Sequence, residues 1–166
     1  WLIATNGERY LDFTAGVAVN ALGHAHPHLV AAITEQAKKV WHVSNLYRIP
    51  EAERVAERLC AASFADVVFF CNSGSEANDT QVKLVWYMNN ALGRPRKKKI
   101  ISRVRAYHGI TVYAGSMTGL APNHNDFDLP VGGVLRADCP SHYLFGLPDE
   151  SEKAFVDRLV GNLEQM

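Results

Sequence analysis

Five consecutive apolar residues, Val67-Val68-Phe69-Phe70-Cys71, stand between Asp66 and Asn72 and run straight into the small polar turn Asn72-Ser73-Gly74-Ser75. A run of that length without polar alternation suits a strand covered on both faces, the condition of a parallel sheet. The stretch from Glu76 to about Asn90 reads as helical, and Lys99 to Val104 as the next strand. Strand, tight turn, helix and strand make a β-α-β unit with an expected right-handed crossover. The fold class that follows is α/β.

The flanking segments fit that frame. Asn6-Gly7, between Trp1–Thr5 and Tyr10–Phe13, is the pair that tolerates the positive φ angles of a two-residue hairpin turn. Gly16 to His26 is loop-like and precedes Pro27, which suits the first turn of a helix. Leu29, Val30, Ile33, Ala37 and Val40 then recur at helical spacing. A second helix opens at Pro50, with Glu51 and Glu53 at its positive end, and ends near Ser63. A short helix is expected beside Gly109 to Gly119, and mostly loop from Pro122 to Pro148 with one strand around Val131 to Arg136. Asp149 and Glu152 form a candidate capping box for a last helix through Phe155, Leu159 and Leu163.

Composition narrows the function. The 166 residues are 48% hydrophobic and 20% charged, which is ordinary globular usage. Seventeen basic residues balance seventeen acidic ones, so no global field draws in nucleic acid or an anionic membrane. The only basic run, Arg94-Pro95-Arg96-Lys97-Lys98-Lys99, reads as a solvated turn. Cys60, Cys71 and Cys139 are too few and too scattered for a disulfide framework or zinc site, which favours a reducing compartment, the cytoplasm. No apolar run reaches the roughly 18 residues of a membrane span. The chain opens at Trp1 in strand-like sequence and closes at Met166 without a polar tail, so both ends are expected to be cut points.

The chemistry gathers in two places. Ser73-Gly74-Ser75-Glu76 sits at the carboxyl end of a predicted strand and the N-terminus of a helix. Free N–H groups, the positive helix end and the Ser75 hydroxyl there suit a phosphate. The same residues also read as a plain helix cap. A third reading is a relaxed nucleophile elbow, Ser73-x-Ser75-x-Ala77 with His108 as base, although both elbow glycines are missing. Tyr107-His108-Gly109 follows the second predicted strand and falls at the same sheet edge. An aromatic face beside an anion cradle suits a flat phosphorylated ring, while a Tyr packed on the sheet is the structural alternative. His24, His26 and His28, with His42 or His108, are better explained by loop packing than by a metal.

Leu11-Asp12-Phe13, Asn20-Ala21-Leu22-Gly23-His24 with His26-Pro27, Phe69 to Ala77 (FFCNSGSEA) and Tyr107-His108-Gly109 occur in an order that resembles the class III aminotransferases. The resemblance spans nearly the whole chain. It implies the type I fold of pyridoxal phosphate-dependent transferases, here truncated to an N-terminal hairpin and helix segment, residues 1–49, and the start of the large cofactor-binding domain, residues 50–166. It implies pyridoxal 5'-phosphate as cofactor, with Gly74 and Ser75 on its phosphate, Tyr107 stacked on its ring and His108 beside it, and Tyr47 as a substrate contact. An amino donor, a keto acid acceptor and a homodimer come with the family.

The reactive lysine and the acid facing the pyridine nitrogen lie downstream in the family, so the segment is expected to be inactive alone. His42-Val43-Ser44-Asn45-Leu46-Tyr47 resembles acetylornithine-type members, whereas Ser75 to Thr80 and Tyr107 to Pro130 resemble the ω-amino acid:pyruvate type. Ile110 stands where acetylornithine-type members carry a carboxylate-gripping Arg, which favours ω-amino acid or amine donors, with an ornithine-like donor retained. The other function classes that remain are a serine hydrolase and a noncatalytic phosphate-ligand module.

Overall fold

A computed structural model describes residues 1–166. The chain divides into two compact units, Trp1–Val68 and Phe69–Met166. In the first, β1 (Leu2–Ile3) and β2 (Arg9–Tyr10) pair antiparallel around Asn6-Gly7, with Gly7 at φ +87°, as the hairpin turn requires. Arg9 lies over the Trp1 ring. A single turn, α1 (Ala15–Ala18), follows, and all four of its residues have positive φ, so it is left-handed. Then come α2 (Pro27–Ala37) and α3 (Pro50–Ala61), each with proline in its first turn. No residue of α1, α2 or α3 is buried.

The second unit holds the core. α4 (Gly74–Ala91) is the longest helix, β3 (Ile100–Arg103) follows, and α5 (Val112–Met117) packs on both. β4 (Val134–Ala137) lies parallel to β3, with Ile100 opposite Val134 and Ser102 opposite Arg136. α6 (His142–Phe145) is one turn, and α7 (Glu152–Glu164) packs on β4. Val82, Ala114 and Met117 form the buried cluster, walled by Trp86, Ile100, Tyr113 and Val134. Trp86 and Tyr113 meet edge to face at 5.2 Å. The basic run folds back on α4, where Lys98 Nζ donates to the carbonyl of Trp86 and to Asn90 Oδ1.

Several expectations change. Val67 to Cys71 is extended but pairs with no strand, so the parallel pair is β3 with β4, and the crossover between them contains α5 rather than α4. A ladder needs a partner, and none of the backbone groups of residues 67–71 is hydrogen-bonded. β4 begins at Val134 rather than Val131, because Gly133 turns at φ +91° and its carbonyl accepts from Ile100 N–H. The cap of α7 is Ser151, whose Oγ accepts from Ala154 N–H at 3.2 Å, while Asp149 sits outside at φ +60°. α4 starts at Gly74, two residues earlier than the pattern suggests.

Candidate functional site

The start of α4 explains its early onset. Ser73 is the N-cap, and its Oγ accepts from Glu76 N–H at 3.2 Å. Glu76 Oε2 reaches back to accept Asn72 N–H at 2.7 Å, a reciprocal capping box displaced by one residue. With those donors satisfied, the N–H groups of Gly74 and Ser75 remain unclaimed at the positive end of an 18-residue helix. Nothing lies within 4 Å of the position a Cβ would take on Gly74, so the turn is open to an approaching group.

The segment after β3 closes on this turn. Ser75 Oγ accepts from Ile110 N–H at 3.1 Å, which leaves the serine's own hydroxyl hydrogen free to donate outward. Asn78 Nδ2 donates to the carbonyl of His108 at 2.6 Å, and Asp79 Oδ1 accepts from Ala114 N–H at 3.0 Å. Ser75, Asn78 and Asp79 sit at i, i+3 and i+4, so one face of α4 grips residues 108–114. Gly109 is buried at φ +128°, a backbone state that L side chains rarely adopt.

Ser73 to Ser75 and Tyr107 to Gly109 are therefore brought together, as the sequence suggests. Tyr107 is exposed, with its ring open to solvent. His108 Nε2 is buried and has no hydrogen-bond partner. The pairing needed by a nucleophile elbow is absent, since Ser75 Oγ bonds Ile110 N–H and not His108. Tyr47 lies in the first unit, exposed, with its N–H on the carbonyl of Ser44. His24 joins no metal-ligand cluster, and its Nε2 lies 2.8 Å from Asp12 Oδ2. The N–H of Ala15 and then His24 hold the Asp12 carboxyl below its ordinary pKa.

Sequence reasoning misses Asn78, Asp79 and Thr118, whose side chains hydrogen-bond the backbone of residues 108, 109 and 114. It also misses an apolar recess of about 260 Å³ beside Gly109 and Ile110, walled by Pro122, Phe127 and Leu129. No helix is long and apolar enough to cross a membrane.

The arrangement offers two free N–H groups, a free hydroxyl and an open glycine, which fit a phosphate monoester, next to an exposed aromatic ring. Comparison with known proteins points the same way. The family described as Aminotransferase class-III matches residues 1–166. A probable gamma-aminobutyrate transaminase 4 of Oryza sativa subsp. japonica is 48% identical over 97% of this chain and 34% of its own length. Acetylornithine aminotransferase 1 of Bradyrhizobium diazoefficiens is 55% identical over 80% of this chain and 33% of its own. An omega transaminase from Pseudomonas jessenii, solved in complex with PMP, superposes with a TM-score of 0.92 at 46% identity, covering 98% of this chain and 37% of the other. The chain spans about a third of the length of the curated relatives it matches. With the family matched from the first residue to the last, the chain belongs to the class III aminotransferases, whose cofactor is pyridoxal phosphate.

Proposed function

We propose that residues 1–166 form the phosphate-and-ring half-site of an aminotransferase that moves an amino group from an amine, ω-amino acid or ornithine-like donor to a keto acid. The observation that carries this reading is the pair of unclaimed N–H groups on Gly74 and Ser75, beside a Ser75 hydroxyl whose lone pair Ile110 N–H already occupies. Gly74 N–H, Ser75 N–H and Ser75 Oγ–H donate to the cofactor phosphate. Tyr107 covers one face of the ring, His108 lines its edge and Tyr47 touches substrate.

When bound, the cofactor supplies the electron sink for breaking bonds at the donor's amino carbon. The protein's part is to hold and orient it. Ile110 opens on the apolar recess and offers no guanidinium to a carboxylate, which supports amine or ω-amino acid donors over acetylornithine. In this reading residues 1–49 are an N-terminal segment and residues 50–166 part of the large domain of a homodimeric enzyme. The cofactor-linking lysine and the acid for the ring nitrogen belong to sequence outside these residues. The three unpaired cysteines support a cytoplasmic location.

Ser75→Ala tests the assignment in a full-length chain carrying this segment. It removes one phosphate donor and the acceptor for Ile110 N–H, so pyridoxal phosphate affinity is expected to fall by about 1.5–3 kcal/mol, the scale of a bond to a charged group. Excess cofactor then restores activity, and Tyr107→Ala loosens the cofactor in the same assay. Labelling of Ser75 by a fluorophosphonate, with cofactor affinity unchanged in both variants, overturns the reading in favour of a serine hydrolase.

A further inference from the structure

Thr118 ends α5 and is fully buried, at 0% exposure. Its hydroxyl reaches beyond its own helix. Oγ1 accepts from His108 N–H at 2.9 Å and lies 3.1 Å from the carbonyl of Gly109 and 3.2 Å from that of Ala114. A hydroxyl has one hydrogen to give. The Ala114 carbonyl already receives Thr118's own N–H at 3.0 Å, so the Gly109 carbonyl has the stronger claim on it. One buried oxygen thus pins both ends of the dipeptide that bears on Ser75.

The next residue completes the hold. Gly119 N–H donates to the carbonyl of Ala106 at 2.7 Å, and the Gly119 carbonyl accepts from Arg105 N–H at 2.7 Å. Tyr107 is therefore fixed through its backbone neighbours on both sides, at Ala106 and at His108. Behind Thr118 stands Arg136 of β4, whose guanidinium donates to the carbonyls of Thr118 (2.9 Å) and Ser116 and to Ser102 Oγ. Arg136 has no carboxylate partner, so its fork is committed to holding this backbone.

We propose that Thr118, backed by Arg136, is a positioning residue of the cofactor site, setting the Tyr107 ring and the Ser75 hydroxyl at once. The proposal rests on the cofactor reading above. A valine fills the same volume without the hydroxyl, whereas a serine keeps the hydroxyl without the methyl. The test uses full-length protein and pyridoxal 5'-phosphate, with the dissociation constant from equilibrium dialysis and the circular dichroism induced in the bound cofactor as readouts.

Thr118→Val is expected to raise the dissociation constant by about tenfold, as loss of a buried bond and its stranded partners would. The induced band should weaken, and Thr118→Ser should stay within about twofold of the parent. A Thr118→Val protein that melts earlier but keeps the parent's dissociation constant and induced band overturns the proposal and leaves Thr118 a packing residue. If Thr118→Val does not fold, Arg136→Lys takes its place, because it keeps the charge but cannot span the three acceptors. Parental cofactor affinity in that variant overturns the proposal equally. A parent protein that fails to bind pyridoxal phosphate sinks the cofactor reading itself, a result distinct from either.

Discussion

Gly109 is pressed against Ser75: a Cβ built on the glycine would lie 2.9 Å from both the Cα and the Cβ of the serine. That spacing is closer than side-chain carbons approach backbone, and the glycine's φ of +128° is itself closed to most L residues. Gly109→Ala is expected to break the Ile110–Ser75 hydrogen bond and to cost about 1–3 kcal/mol from the backbone conformation alone. Urea denaturation checks this, and an unchanged midpoint contradicts it.

Glu150 shows how acid should unfold the second unit. Arg158 makes a two-pronged bond to its carboxylate, at 2.8 and 2.7 Å, and Leu147 N–H adds a third at 2.9 Å. Together these lower its pKa from 4.5 to about 2. A depressed folded-state pKa means the stabilisation is whole above about 4.5 and is lost as pH falls toward about 2. Glu150→Gln should flatten the stability profile in that acid window and leave its shape near neutrality unchanged, as thermal melts across pH would record.

Val17 carries a β-branched side chain at φ +60° and ψ +50°, yet it is exposed and buries nothing in return. Left-handed backbone costs such a residue roughly 1–2 kcal/mol. Val17→Gly is therefore expected to leave stability unchanged or raise it by up to about 1 kcal/mol, against the usual direction for glycine. A loss of more than that in chemical denaturation refutes the strain.

On the proposed cofactor reading, neither Lys83 nor Lys98 does covalent work on the cofactor. Lys83 lies eight residues along α4 from Ser75, a rise of about 12 Å, and lines a separate groove with Asp79, Trp86 and Tyr113. Lys98 is occupied at the far end of the same helix. Borohydride reduction in the presence of pyridoxal phosphate, followed by peptide mapping, should find no single stoichiometric adduct among these residues. One dominant adduct at Lys83 overturns the assignment of the reactive lysine to sequence elsewhere.

What could be read from the sequence was local. Asn6-Gly7 specified its hairpin, Pro27 and Pro50 marked helix starts, and the small turn Ser73 to Ser75 announced an N-terminus with free donors. That this turn meets Tyr107-His108-Gly109 was expected from a shared sheet edge, yet residues 67–71 join no sheet, and the meeting is made instead by Ser75 against Gly109 and Ile110. What escaped depends on partners distant in the chain. Val67 to Cys71 has strand composition but finds no ladder, and composition cannot supply one. Asp12 with His24, and Asn78 and Asp79 with backbone some 30 residues on, are pairings that no periodicity encodes, although the polar stripe at 75, 78 and 79 was a visible hint. Thr118 carried no signal, since its neighbours Ser116 and Met117 read as an ordinary short helix.

The bare extended segment Val67–Cys71 leads directly into the Asn72–Ser75 turn, with every backbone donor and acceptor from 67 to 71 unspent. On its helical side the turn is anchored by the capping box, and on its other side by nothing. A polypeptide that zips onto this segment and an anion that settles in the turn both restrict the same residues, so each lowers the entropy the other must still remove. By thermodynamic linkage the two events reinforce one another by equal factors. On the proposed cofactor reading, pyridoxal phosphate affinity is therefore expected to be higher when this segment is paired in a sheet than when it is bare.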